Sequence, residues 1–79
     1  MQKITDTYKA AYFMTQGASL VDVEIKHERE LLRNYTWVCV LDGVTDAMKG
    51  AWDTRNAVVN LDDLIRERNR IKKLVQKKR

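Results

Sequence analysis

The chain has 79 residues, with 15 Lys/Arg against 11 Asp/Glu, one His, one Cys and a formal net charge of +4. A chain this short makes one domain with a marginal core, because it buries only roughly 60–65% of the surface its unfolded form exposes. A single cysteine excludes a disulfide framework, and no apolar run approaches the roughly 20 residues of a membrane span.

Gln2 to Ile4 can form a short opening strand. Thr5-Asp6 then precedes a run from Thr7 to Gln16 with Gly17 beyond it, the pattern of a capped entry and a glycine stop for a first helix. Tyr8 and Tyr12 share one of its faces. In Leu20 to His27, Val21, Val23 and Ile25 alternate with Asp22, Glu24 and Lys26, which predicts a half-buried strand. The charged stretch Glu28 to Asn34, where Leu31 and Leu32 allow a short helix, leads into Tyr35 to Leu41. That segment is aromatic and β-branched and reads as a second strand, antiparallel to the first.

Asp42-Gly43 ends this strand, and Thr45 can cap a helix through Trp52 with Ala47, Met48, Ala51 and Trp52 along an apolar edge. After the turn-prone Asp53 to Asn56, Ala57-Val58-Val59 predicts a short strand, and Asn60 is placed to cap a last helix. Asp62 and Asp63 fall in the first turn of that helix and Lys77, Lys78 and Arg79 in its last, each complementing the helix dipole. The expected order is α-β-β-α-β-α, with the optional opening strand. The fold class is α+β: a small antiparallel sheet, two short helices and a long C-terminal amphipathic helix, all in one domain.

The last helix concentrates the charge. Leu61 to Arg79 carries eight Lys/Arg against three Asp/Glu, net +5, whereas Met1 to Asn60 carries seven against eight, net −1. At about 100° per residue, Leu61, Leu64, Ile65, Ile71 and Val75 fall on one side, while Arg66, Arg70, Lys73 and Lys77 fall within about 60° on the other. That cationic stripe is about 16 Å long, enough to follow several phosphates of a nucleic-acid backbone. The ordinary meaning of such a run is a solvated helix surface. The reading as a binding surface rests on Arg70, Lys73 and Lys77 having no acidic neighbour four residues away. Arg68 sits amid the apolar positions, where its guanidinium needs a carboxylate, a carbonyl or a route to solvent.

Chemistry beyond binding finds little support in the residues. One His and one Cys, the latter within the apolar run of Tyr35 to Leu41, form no evident nucleophile–base pair. Asp22 and Glu24 are a carboxylate pair on one strand face, whose ordinary explanation is alternating charge on a wetted surface. Neither Cys-x-x-Cys nor His-x-x-x-His occurs, so no metal site is expected, and the three glycines are isolated, so no phosphate loop or cofactor is expected either. Tyr35 and Trp37 share parity with Cys39 and Leu41, which points them inward rather than toward stacked bases. Trp52 is equally consistent with core and with a partner surface.

Thr5 to Tyr12 (Thr-Asp-Thr-Tyr-Lys-Ala-Ala-Tyr), Gly17 to Val23 (Gly-Ala-Ser-Leu-Val-Asp-Val) and Ala57 to Leu61 (Ala-Val-Val-Asn-Leu) resemble a family of small phage and prophage proteins catalogued only as a domain of unknown function. The resemblance covers nearly the whole chain, and its motifs are scaffold features that carry no catalytic residue. Arg55-Asn56 stands where the family has Asn-Gly, and the middle strand is more aromatic than the family's. What the resemblance implies is a non-enzymatic phage or mobile-element accessory protein in the cytoplasm of a bacterial host. Such a protein acts by occupying a host macromolecule, for example as an anti-CRISPR-like inhibitor of a defence nuclease.

The expected partner is therefore a host protein, or alternatively nucleic acid bound by a small dimer, with no membrane involved and a homodimer as the expected state. The candidate contact residues are Arg55, Arg66, Arg70, Lys73 and Lys77, with Trp52 beside them. In a variant of the protein-binding reading, Asp22 and Glu24 imitate DNA phosphates toward a basic groove.

Overall fold

The structure, a computed structural model, describes residues 1–29 and 34–78. The element order is β1 (Gln2–Ile4), α1 (Thr7–Thr15), β2 (Ser19–Arg29), β3 (Asn34–Asp42), α2 (Asp46–Asp53) and α3 (Leu61–Lys78). The class is α+β, as the residue pattern predicts. The three strands form an antiparallel sheet in the order β1-β3-β2. The possible helix at Leu31 and Leu32 and the terminal Arg79 lie outside the described residues.

Local chemistry sets each helix boundary. Asp6 caps α1 by accepting hydrogen bonds from the Tyr8 and Lys9 amides. At the other end the Ala18 amide donates to the Phe13 carbonyl and the Gly17 amide to that of Met14. This is a Schellman closure, and Gly17 occupies its left-handed position at φ 113°. Thr45 caps α2 through the Met48 amide, and Asn60 caps α3 through those of Asp62 and Asp63. α2 closes in the same way as α1, with Asn56 N–H donating to the Ala51 carbonyl and Arg55 N–H to that of Trp52. Here the left-handed position, φ 60°, is held by Arg55 rather than by glycine.

One face of the sheet, carrying Ile4, Val23, Cys39 and Leu41, packs against α1 and α3. Ala10 and Ala11 are fully buried, and their methyl side chains let α1 approach its neighbours closely. Phe13, Leu41, Ile71, Val23 and Cys39 are the largest fully enclosed side chains. Each of the larger ones contributes about 1.5–3 kcal/mol by leaving water. Trp37 packs against this core, and its indole N–H donates to the Thr7 hydroxyl at 3.1 Å. The inward assignment of Trp37 is therefore correct.

Three expectations need correction. The Ala57–Val59 segment is not a strand, and the sheet has the order β1-β3-β2 without it. Ala57 and Val59 still turn toward the core while Val58 stands out in solvent, so the alternation survives without a ladder. The third strand of the sheet is the optional one at Gln2–Ile4.

The second correction concerns β2. Leu20 pairs with Leu41 and Asp22 with Val40, so Val21 has no partner of its own and forms a bulge. Val21 is consequently 51% exposed, and Leu20, which simple alternation would leave on the wet face, packs against the core.

The third correction concerns α3. Ile71 and Val75 are buried, and Leu64 and Leu74 pack against the core, but Leu61 and Ile65 are 67% and 43% exposed. The buried arc is rotated toward Glu67 and Leu74, away from the side on which Leu61 and Ile65 lie.

Candidate interaction surfaces

The basic stripe on α3 divides once its neighbours are known. Arg66 pairs with Asp63 at 2.9 Å and Arg70 with Glu67 at 3.3 Å. Both carboxylates lie three residues away rather than four, so the expectation that Arg70 lacks a local acid does not hold. Among the described residues Lys73 and Lys77 have no ion-pair partner, and both are exposed. Arg70, Lys73 and Lys77 rim a groove of about 270 Å³ whose apolar lining is Leu20 from β2 and Leu74 from α3. Two elements are needed to build it, and the Val21 bulge is what brings Leu20 to its floor.

Arg66 stands on the same helix but does not line the groove. Arg55 lies apart from it, in the closure of α2, and borders a hollow with Trp52, Asp53 and Ala57. Five predicted contact residues thus sort into three in the groove, one beside it on α3 and one at a second location. Leu20 and Leu74 were missed by sequence reasoning. Leu74 falls beside the predicted apolar side of α3, and the signal for Leu20 was hidden by the assumption of unbroken alternation.

Asp22 and Glu24 share the outer sheet face, opposite Val40 and Val38. Glu24 pairs with Lys3 at 3.2 Å, and Asp22 accepts a hydrogen bond from Lys78 at the end of α3. The Lys78 hydrogen bond, followed by one from the Val23 amide, holds the Asp22 carboxyl below the usual carboxylate range. Both acids therefore have a lysine partner, and the arrangement lacks the uncompensated negative charge that imitation of DNA phosphates requires. The stems of Lys3 and Glu24 flank Val38 and Val40, which are buried although they lie outside the main core.

Trp52 is half-buried, its ring 5.6 Å from that of Tyr12 at an interplanar angle of 37°. It is at once a core contact and a surface wall. Cys39 is fully buried, and burial pushes its thiol up to about 11, which leaves it protonated and a poor nucleophile at neutral pH. Among the described residues no group of three His, Cys, Asp or Glu side chains is placed to hold a metal ion, and no helix is long and apolar enough to cross a membrane.

Comparison of the chain with family models, with curated proteins and with solved structures returns no match.

Proposed function

We propose that the chain is a non-enzymatic accessory protein that binds an acidic segment of a partner protein in the groove between α3 and β2. The observation that carries this reading is the pairing of an apolar floor, Leu20 and Leu74, with a cationic rim, Arg70, Lys73 and Lys77. A short acidic peptide with one apolar anchor matches both parts. A bare phosphodiester backbone matches only the rim.

Charge arithmetic favours a protein partner over nucleic acid. Nucleic-acid affinity through phosphates scales with the number of cations that release counterions, with a slope in log salt of about −0.9 per contact. Of the four cations in the α3 stripe, Arg66 and Arg70 face carboxylates in ion pairs whose guanidinium groups are well exposed, and Lys73 and Lys77 have no ion-pair partner among the described residues. Four cations make few phosphate contacts, so burial of Leu20 and Leu74 contributes what the electrostatics lack. Taken with the resemblance to small phage proteins, this supports stoichiometric occupation of a host protein, such as a defence nuclease, in an anti-CRISPR-like manner.

The test uses a fluorescently labelled Asp/Glu-rich peptide with a single Leu, and labelled single- and double-stranded DNA, each titrated at low and high salt. The expected result is saturable peptide binding that persists at high salt and is lost in the Lys73→Glu/Lys77→Glu variant, with DNA binding weak. Tight DNA binding with a log-salt slope of about −4, corresponding to four released counterions, and no peptide binding would replace this reading with nucleic-acid binding.

A further inference from the structure

A second concavity lies away from the groove, where β1, the start of α1 and the end of α2 meet. Its volume is about 430 Å³, within the roughly 300–1,000 Å³ range of small-molecule sites. Lys3, Lys9 and Lys49 line it together with Phe13 and Trp52. Lys9 and Lys49 are half-buried members of this lining. The Lys9 ammonium lies 5.9 Å from the centre of the buried Phe13 ring.

The acids around this cavity are already engaged. Asp6 lines it, but its carboxylate accepts the Tyr8 and Lys9 amides at the start of α1. Glu24 holds Lys3 through an ion pair that is well exposed on both sides and is therefore weak. Lys9 and Lys49 have no ion-pair partner among the described residues. The cavity lining thus gathers three lysines against one carboxylate, that of Asp6, and is net positive beside the Trp52 indole.

An inorganic anion would use the lysines and leave the indole idle, and an apolar ligand would do the reverse. We propose that this cavity binds a nucleoside phosphate, with the base against Trp52 and the phosphate between Lys9 and Lys49. The chemistry fits because every base has a π-face that stacks on an aromatic ring, while ammonium groups are point-charge partners for phosphate. Trp52 is backed on another side by Tyr12, which fixes the wall in place before a ligand arrives. The ligand has two sources, a free nucleotide or the end of a single strand. Trp52 also borders the neighbouring hollow that contains Arg55, so a strand stacked on the indole has a further cation for its next phosphate. This site shares no residue with the α3–β2 groove, and its test is independent of the protein-binding reading.

The experiment uses the Trp37→Phe protein, in which Trp52 is the sole tryptophan, with folding checked by circular dichroism. Its fluorescence is titrated with adenosine 5′-monophosphate, adenosine, inorganic phosphate and a 5′-phosphorylated oligothymidylate. Saturable quenching by the mononucleotide, much stronger than by adenosine or phosphate alone, is the expected result. Replacing Lys9 and Lys49 by Gln should then weaken binding by about tenfold or more, since each loses a charged contact to phosphate. An oligonucleotide that binds much more tightly than the mononucleotide identifies a strand end as the source, and equal affinities identify the free nucleotide. The proposal is overturned if neither ligand quenches saturably up to millimolar concentration, or if the folded Lys9→Gln/Lys49→Gln protein binds as well as its parent. Because these two substitutions leave Trp52 and Tyr12 in place, that second arm holds even where Trp52 itself cannot be replaced without loss of packing against Tyr12.

Discussion

The guanidinium of Arg68 lies over the ring of Tyr8, 5.1 Å from its centre. A cation at an otherwise apolar helix position thereby finds its partner on α1, in a π-face rather than in a carboxylate or carbonyl. The contact joins the two helices that cover the sheet, and because Tyr8 is half exposed, it is a surface interaction of moderate strength. Arg68→Ala and Tyr8→Ala should each destabilise the fold, and the coupling between them in a double-mutant cycle should be about 0.5–1 kcal/mol. Urea denaturation of the four proteins measures it, and strictly additive effects would show that the two side chains do not interact.

Arg55 occupies the left-handed closing position of α2, where a side chain carries a steric cost that glycine lacks. Arg55→Gly should raise unfolding stability by about 0.5–1 kcal/mol, with a higher thermal midpoint. The same change removes the one cation that lines the hollow beside Trp52 among the described residues. A stabilised protein with weaker oligonucleotide binding would mark Arg55 as a residue kept for contact at the expense of stability. A destabilised one would mean that its side chain makes a favourable contact large enough to outweigh the backbone strain.

Burial raises the Cys39 thiol from 9.0 to about 11. The folded protein therefore keeps this proton in a range where the unfolded chain has lost it. Its contribution to stability is fully present below pH 9.0 and is lost as pH rises through about 11. Chemical denaturation across that interval should show a decline that is reduced in Cys39→Val, the comparison isolating the thiol's share. Alkylation of native Cys39 should be slow at neutral pH and fast in denaturant, and rapid native alkylation would contradict its enclosure.

Leu61 and Ile65 are one turn apart on α3 and exposed, and Tyr8 adds aromatic surface on α1. The homodimer expected from the sequence is tested at this face, where Leu61 and Ile65 are the exposed apolar pair of α3. Sedimentation at micromolar concentration should report a dimer for the native chain and a monomer for Leu61→Glu/Ile65→Glu. A native chain that sediments as a monomer throughout that range disposes of the idea.

Features that depend on a few neighbouring residues were legible in the sequence. Asp6, Thr45 and Asn60 are caps, Gly17 is a stop, and α3 runs unbroken to Lys78, because capping and helix periodicity are settled within one or two turns of chain. The inward direction of Trp37 and Cys39 followed from strand parity for the same reason. Of the candidate contacts, Lys73 and Lys77 were identified as unpaired cations from spacing alone, and they do stand free of acids among the described residues.

Only the tertiary structure decided the rest. Whether Ala57–Val59 joins the sheet is settled by long-range pairing, and the strand beside β3 is instead β1, three residues nearly forty positions away from their partners. The Val21 bulge is a matter of register between two strands, and it exchanges the faces of Leu20 and Val21 without any local mark in the sequence. From this exchange comes the groove, since Leu20 and Leu74 are separated along the chain and meet only when α3 packs beside β2. The cavity at Trp52 likewise gathers Lys3, Lys9 and Lys49 from three elements. Sequence spacing fixes which side chains share a helix face or a strand face; the rotation of each face toward its neighbours is set by packing, which is a property of the whole chain.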